Sequence, residues 1–305
     1  MNIPHLSVLY KDIIHALSPR AGGRYIDGTL GAGGHAAGIL AASAPDGELL
    51  GLDLDPQALA IAAERLAGFG GRAHIVRASY LEMAAQAKAL GWDQVDGIVL
   101  DLGVSSMQLD NAGRGFSFLQ DGPLDMRFDP ARGSSAADLV NSLSESDLAD
   151  IIFRYGEERL SRKIARIIVQ HRPFTTTRQL ADLVLKTIGK RERIHPATRT
   201  FQALRIAVNG ELDAVESVLP LALELLRPGG RLAVISFHSL EDRIVKTYFR
   251  RESRDCLCPP QQPVCTCGHR AAIIEINRKP IEAGEEEIQV NARARSAKLR
   301  VIEKR

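Results

Sequence analysis

Arg24-Tyr-Ile-Asp-Gly-Thr-Leu-Gly-Ala-Gly-Gly-His-Ala36 decides the fold class. A short strand-like run, Arg24–Asp27, breaks into glycines, and a small-residue helix over about His35–Ala42 follows. Gly31-Ala-Gly33-Gly-His-Ala36 fits G-x-G-x-x-G/A. Glycines there let the backbone turn sharply and approach a ligand, while the next helix offers unpaired N–H groups at its start. Outward from this turn the pattern repeats. Glu48–Leu54 reads as an apolar strand ending in carboxylates, and Pro56 opens a helix to about Leu66 with Asp55 as its cap. Arg72–Ala78 and Val95–Asp101 read as strands separated by an alanine-rich helix, and Val8–Leu17 as an amphipathic helix capped by Ser7. Leu49-Leu-Gly-Leu52 and Ile98-Val-Leu100 lack polar alternation, as strands buried on both faces should. Strands alternating with helices predict a doubly wound, Rossmann-like α/β sheet.

The pattern changes after Asp101. Ser105–Gly133 has no clean period, and about Ser144–Leu226 reads as almost wholly helical, with starts near Ser144, Thr177 and Pro196. The α/β alternation resumes with a strand at Arg231–Phe237, a helix at about Leu240–Arg250 and a final strand candidate at Ala272–Ile276. The expected organisation is a core over 1–108, a helical insertion over 109–212, and the rest of the core over 213–305 with a Cys-rich loop and a basic tail. At 305 residues, about two domains of usual size fit.

Composition excludes several classes. With 45% hydrophobic and 25% charged residues the chain is globular rather than disordered or fibrous. No apolar run reaches the roughly 18–20 residues of a membrane span. Met1–Ser18 lacks a basic segment leading into an apolar core, so a reducing cytoplasm is expected. Aromatics at 5% argue against long stacking platforms for single strands. The net charge of +2 conceals an uneven distribution. Arg159–Arg205 carries twelve Lys/Arg against Asp182 and Glu192, and Asn291–Arg305 carries six against Glu303. Either region is a solvated face or a phosphate-binding surface, with Arg199 and Arg205 as candidate phosphate grips.

The glycine turn, the helix after it and Asp53 at the next strand end point to an adenosine-containing cofactor, Asp53 accepting ribose hydroxyls. NAD and S-adenosylmethionine compete for that site. Asp27 would repel a pyrophosphate and suits an ammonium group, which favours S-adenosylmethionine. Ser236-Phe-His-Ser-Leu-Glu-Asp-Arg243 holds Ser, His and Asp, but without Gly-x-Ser-x-Gly it does not read as a hydrolase. There His238 and Arg243 either contact RNA or cap a helix. Cys256-Leu-Cys258-Pro-Pro-Gln-Gln-Pro-Val-Cys265-Thr-Cys267 is C-x-C-x6-C-x-C, which suits a tetrahedral zinc site or plain reduced thiols, with disulfides the third alternative.

Longer motifs narrow the class. Asp101-Leu-Gly-Val-Ser-Ser-Met-Gln-Leu-Asp110, Arg114-Gly-Phe-Ser-Phe118, Gly122-Pro-Leu-Asp-Met-Arg127, His195-Pro-Ala-Thr-Arg-Thr-Phe-Gln-Ala-Leu-Arg205 and the Ser236–Arg243 run stand in order between Pro4-His5 and Asn291-Ala-Arg-Ala-Arg-Ser-Ala-Lys-Leu-Arg300. With these the chain resembles, end to end, the ribosomal RNA small subunit methyltransferase H (MraW-like) family. The resemblance implies a class I S-adenosylmethionine-dependent fold with an inserted substrate-recognition domain. It also implies methylation of a cytidine N4 amine in the decoding region of 16S rRNA. Carried over by motif, Gly33, Gly34, His35, Asp53, Tyr80, Asp101 and Gln108 would contact the cofactor. Tyr80 stands where the family pattern has phenylalanine, which keeps an aromatic face for adenine. Asp101 either only holds the cofactor or also accepts from the amine as a catalytic group. A nicotinamide dehydrogenase on the same fold and a non-enzymatic RNA-binding assembly factor are the rival functions, and a dimer remains open.

Overall fold

The computed structural model describes residues 7–189, 194–262 and 264–305, with Ser106 by its backbone alone. Pro4 and His5, residues 190–193 of the basic stretch and Pro263 of the cysteine loop lie outside the described residues. The chain divides into two compact units, Met1–Gly103 with Leu212–Arg305, and Val104–Glu211. The expected cuts were 108/109 and 212/213.

The first unit begins with α1 (Tyr10–Leu17), β1 (Arg24–Asp27), α2 (Gly34–Ala42), β2 (Glu48–Asp53), α3 (Pro56–Leu66), β3 (Ala73–Arg77), α4 (Met83–Ala89) and β4 (Val95–Asp101). The second holds α5 (Ser106–Asp110), α6 (Ala136–Ser142), α7 (Glu145–Gly156), α8 (Ser161–Gln170), α9 (Thr177–Ile188) and α10 (Thr198–Asn209). The first unit resumes along α11 (Glu211–Leu225), then β5 (Leu226–Ser236), α12 (Ser239–Glu252), β6 (Ile273–Glu275), α13 (Glu285–Val290) and β7 (Lys298–Lys304).

One seven-stranded sheet runs through the first unit in the order β3-β2-β1-β4-β5-β7-β6. The first five are parallel, and β7 is antiparallel to both its neighbours. Both faces are covered, which is why the strands show no polar alternation. Successive residues point to opposite faces. Ile26, Leu50, Leu52, Ile98, Leu100, Leu232 and Val234 pack with α4, α11 and α12 on one side. Tyr25, Leu49, Val99, Ala233 and Ile235 pack with α1, α2 and α3 on the other. This is the doubly wound α/β fold expected from the sequence. Strand order reverses between β1 and β4, and open α/β sheets bind ligands at the carboxyl ends flanking such a point.

Local signals account for several boundaries. Asp55 caps α3 by accepting from the Gln57 N–H, with Pro56 at the first helical position. Ser7 does not cap α1. The residue preceding that helix is Leu9, in the left-handed region at φ 52°, and its N–H donates to Glu287 Oε1 at 2.7 Å. A partner 278 residues away replaces the local cap.

The largest departure from the sequence reading is at the basic tail. Ala272–Ile276 is not the final strand, because Lys298–Lys304 forms β7 and inserts between β5 and β6. Leu299 and Val301 face one core layer while Ile302 faces the other. Arg300, 4% exposed, forms a two-pronged pair with Asp242 of α12, Nε to Oδ1 at 2.7 Å and Nη2 to Oδ2 at 3.2 Å. Lys304 Nζ donates to the Glu224 and Leu226 carbonyls. Part of the apparent phosphate surface is therefore internal structure.

The second unit is helical around its own core, with Leu148, Ile152, Ile164, Ile168, Leu180 and Leu204 fully buried or nearly so. Ser144 and Thr176 cap α7 and α9 through their hydroxyls. Irregular segment 111–135 is stitched to that core. Asn209 bridges Phe128 N and Met126 O, and Pro123 bridges Thr176. No helix among the described residues is long and apolar enough to cross a membrane.

Candidate functional site

The carboxyl ends of β1, β2 and β4 gather Asp27, Asp53 and Asp101 with the glycine turn. Gly31 (φ 51°) and Gly33 (φ 75°) occupy the left-handed region, where a Cβ costs roughly 1–2 kcal/mol. The turn is pinned to the sheet by Gly28 N to Val99 O at 3.0 Å and Leu30 N to Leu52 O at 2.9 Å. Gly51 of β2 makes room for it, since a Cβ there would stand 2.7 Å from Leu30 Cδ1. Gly33 packs on α3, and Gly34 is the first residue of α2. A Cβ on Gly34 would stand 2.0 Å from Ser7 Oγ, which places Ser7 against the turn rather than at a helix cap. The start of α2 receives no side-chain cap, so its N–H groups face the turn without a side-chain acceptor.

Asp53 fixes the turn through both oxygens, accepting from Gly31 N at 2.8 Å and Asp55 N at 2.9 Å. Burial raises its pKa, opposed by those two N–H donors. Each oxygen keeps a second lone pair for a further donor such as a ribose hydroxyl. Asp27, 1% exposed, accepts from Thr29 N through Oδ1 at 3.2 Å, while its Oδ2 is buried without a partner. Burial pushes its carboxyl up to about 6 against the pull of His35.

Asp101 is tied to the turn by its own N–H, which donates to Thr29 Oγ1 at 2.6 Å. Its Oδ2 lies 3.6 Å from His35 Nε2, an ion-pair separation, and its Oδ1 is buried and unpartnered. His35, at the start of α2, is 4% exposed, stacks on Tyr10, and makes no hydrogen bond through either ring nitrogen. Burial works to lower its pKa, but the Asp101 and Asp27 carboxylates outweigh that and raise it. Buried polar atoms are nearly always hydrogen-bonded, so four orphaned atoms beside one glycine turn mark a place shaped for a polar ligand.

The structure thus brings together Gly33, Gly34, His35, Asp53 and Asp101 with Asp27, the carboxylate the sequence suggests for an ammonium group, and adds Thr29 to them. Thr29 escaped sequence reasoning, although its place two residues after Asp27 is a short-range turn signal. Tyr80 opens a single turn after β3, and its Cβ would lie 3.1 Å from a Cβ placed on Gly28. Gln108 belongs to the second unit. Its Oε1 accepts from Ser105 N at 3.1 Å in a capping box on α5. His238 proves to be a cap: its ring accepts from Glu241 N at the start of α12, and Glu241 in turn accepts from Phe237 N.

The two candidate phosphate grips are engaged within the second unit. Arg205 forks onto Glu211, Nε to Oε1 at 2.8 Å and Nη2 to Oε2 at 2.9 Å, with both side chains at most 15% exposed. Arg199 Nη1 lies 3.6 Å from buried Glu158. His195 Nδ1 accepts from Ala197 N, and its ring packs on Phe118.

Known proteins resemble this chain over its whole length. A ribosomal RNA small subunit methyltransferase H from Citrifermentans bemidjiense is 56% identical over 306 residues, covering 98% of each chain. The protein of the same name from Geobacter sulfurreducens is 54% identical over 310 residues, covering 100% of each. A solved rRNA methylase from Streptococcus thermophilus covers 97% of this chain and 93% of its own, at a TM-score of 0.43 and 10% identity. With residues 2–305 matching its family pattern, the chain belongs to the MraW methylase family and is an S-adenosylmethionine-dependent methyltransferase.

Proposed function

We propose that the chain methylates the exocyclic N4 amine of a cytidine in the decoding region of 16S rRNA. The observation carrying this reading is the set of buried, unpartnered polar atoms on Asp27, His35 and Asp101 around the Gly31–Gly34 turn. When bound, S-adenosylmethionine supplies an electrophilic methyl group on a sulfonium. Asp27 Oδ2 is free to take an ammonium donor, and Asp53 to take ribose hydroxyls. Tyr80, following β3, is the aromatic assigned to the adenine, and Gln108 is assigned a further cofactor contact.

The substrate amine is a weak nucleophile because its lone pair is delocalised into the cytosine ring. Its two hydrogens need an acceptor, and alignment with the methyl carbon is most of what a protein can add. Asp101 Oδ1 is that acceptor. It takes a hydrogen bond from N4 and turns the lone pair away from the ring. His35, with a raised pKa, holds the other Asp101 oxygen at 3.6 Å and keeps the carboxylate oriented. The base reaches the site unstacked or in a single-stranded segment. The inserted unit is the RNA-recognition domain, its exposed cations Arg159, Arg162 and Arg166 serving the RNA backbone. The cytoplasm is where such a substrate is met.

The test is methyl transfer from labelled S-adenosylmethionine to small ribosomal subunits lacking the modification, followed by nucleoside analysis. Label in N4-methylcytidine is expected. Label in another nucleoside overturns the N4 assignment, and tight RNA binding without transfer overturns catalysis in favour of an assembly role. Asp101→Asn is expected to slow turnover about a hundredfold or more while shifting cofactor Kd by less than about threefold. Equal losses in both would reduce Asp101 to a cofactor ligand.

A further inference from the structure

Between α12 and β6 the chain leaves the apolar core. Leu257 is 40% exposed and Val264 69%, so no buried hydrophobic layer holds this loop together. Its base is fastened: Ala272 N donates to Glu252 O at 2.8 Å, His269 Nε2 lies 3.1 Å from Arg251 O, and Ser253 Oγ donates to Glu275 Oε1. Beyond that base, four sulfurs converge. Cys256 Sγ lies 3.4 Å from Cys265 Sγ and 3.8 Å from Cys267 Sγ, and Cys265 and Cys267 are 3.6 Å apart. Cys258 completes the group, and all four sulfurs lie within 4.8 Å of one another.

These separations distinguish the candidate chemistries. A disulfide needs sulfurs about 2.0 Å apart, and none of the four cysteines is bonded. A tetrahedral zinc with Zn–S bonds of about 2.3 Å sets its sulfurs roughly 3.8 Å apart, close to what this loop presents. Backbone donors also point at the sulfurs. Leu257 N donates to Cys267 Sγ at 3.3 Å and Cys258 N to Cys256 Sγ at 3.4 Å. Such bonds spread the negative charge that thiolates acquire on a metal, as outer hydrogen bonds do around ligand sets generally.

We infer that Cys256, Cys258, Cys265 and Cys267 bind one zinc ion in a closed four-thiolate site that orders the loop between α12 and β6. Each thiol gives its proton to solvent as its sulfur ligates, and no electron changes hands. Four protein ligands leave no open position, so the role is structural and separate from methyl transfer. The metal replaces the apolar core that the exposed twelve-residue span from Cys256 to Cys267 cannot assemble.

The full-length chain, purified in reductant without added chelator, is expected to carry one zinc per chain by elemental analysis. Replacing the metal with cobalt is expected to give the visible bands and thiolate charge-transfer absorption of a tetrahedral sulfur site. Titration with a thiol-blocking reagent in the presence of a zinc-binding dye is expected to modify the four thiolates and pass the metal to the dye together. The double variant Cys258→Ser/Cys265→Ser is expected to lose the zinc and the cobalt spectrum while still binding S-adenosylmethionine. Far less than one zinc with four freely reactive thiols, a bound iron instead, or zinc retained in the double variant would each overturn the assignment.

Discussion

The rim of the sheet and the basic stretch of the insertion treat charged side chains in opposite ways. At the rim, Asp27 Oδ2, Asp101 Oδ1 and both ring nitrogens of His35 are buried without a hydrogen-bond partner. In the insertion, several cations that resemble a phosphate surface in the sequence are satisfied internally. Arg205 forks onto Glu211, and Arg172 donates to the Val140 and Leu143 carbonyls. Near the irregular segment, Arg127 chelates Asp125 and Arg114 donates to the Arg127 and Phe128 carbonyls. Charge counting ranks the insertion as the more functional region, and satisfaction counting reverses the order. A ligand site is better marked by what the fold leaves unpaired than by what it accumulates.

The severest test of that contrast is Arg205→Met. Removing one partner of a buried pair strips Glu211 of its forked guanidinium, so denaturant unfolding is expected to show a loss of about 3–5 kcal/mol. The slope of RNA affinity against salt is expected to stay unchanged. A slope reduced by about 0.9 with stability intact would make Arg205 a phosphate ligand and break the comparison.

Gly33→Ala strikes the rim instead. Forcing a Cβ into φ 75°, 3.3 Å from Ala62 Cβ, is expected to cost roughly 1–2 kcal/mol and weaken cofactor binding about tenfold, read by calorimetry. A neutral result would show that the turn adjusts without cost.

A pH series sharpens the comparison further. Asp27 titrates near 6 when folded and near 3.8 when unfolded, so the folded chain binds more protons between those values. The contribution of Asp27 to the stability of the unliganded protein is therefore greatest below the lower value and declines as pH rises through the window, because ionising Asp27 leaves a buried charge. A cationic ligand reverses the preference. Affinity for S-adenosylmethionine is expected to level off above about pH 6 and to fall below it by at most about tenfold per pH unit. The variant Asp27→Asn is expected to bind weakly at every pH without that break. A break of the same size in the variant would assign it to another group.

The sheet was largely legible because its physics is local. Strands covered on both faces need continuous apolar runs, and Leu49–Leu52 and Ile98–Leu100 supply them. Asp55 and Pro56 announce α3 within two residues. Lys298–Lys304 was not legible as a strand. Its Arg300 looks solvated until Asp242, 58 residues earlier, is seen to neutralise it. The Leu9–Glu287 contact was hidden for the same reason, and the Arg205–Glu211 fork because its partners, six residues apart, belong to different helices, α10 and α11. At the site, the carboxylates and glycines could be read from spacing at strand ends. The burial of His35 and its approach to Asp101 depend on how α2 packs, which no spacing encodes.

The place of β7 governs the order in which the molecule can be made. A ribosome delivers β5 first, then β6, and only afterwards the strand that must lie between them. Until Lys298 follows, 62 residues after Ser236, the β5 edge from Arg231 to Ser236 has no strand beside it and β6 has nothing to pair with. A nascent chain at that stage presents an open, apolar strand edge, the kind that recruits other chains. Vectorial synthesis thus leaves a window in which the half-built sheet depends on restraint from its surroundings. Mutations that weaken β7 should then appear first as poor yield of soluble protein, before any loss in the activity of molecules that complete the sheet.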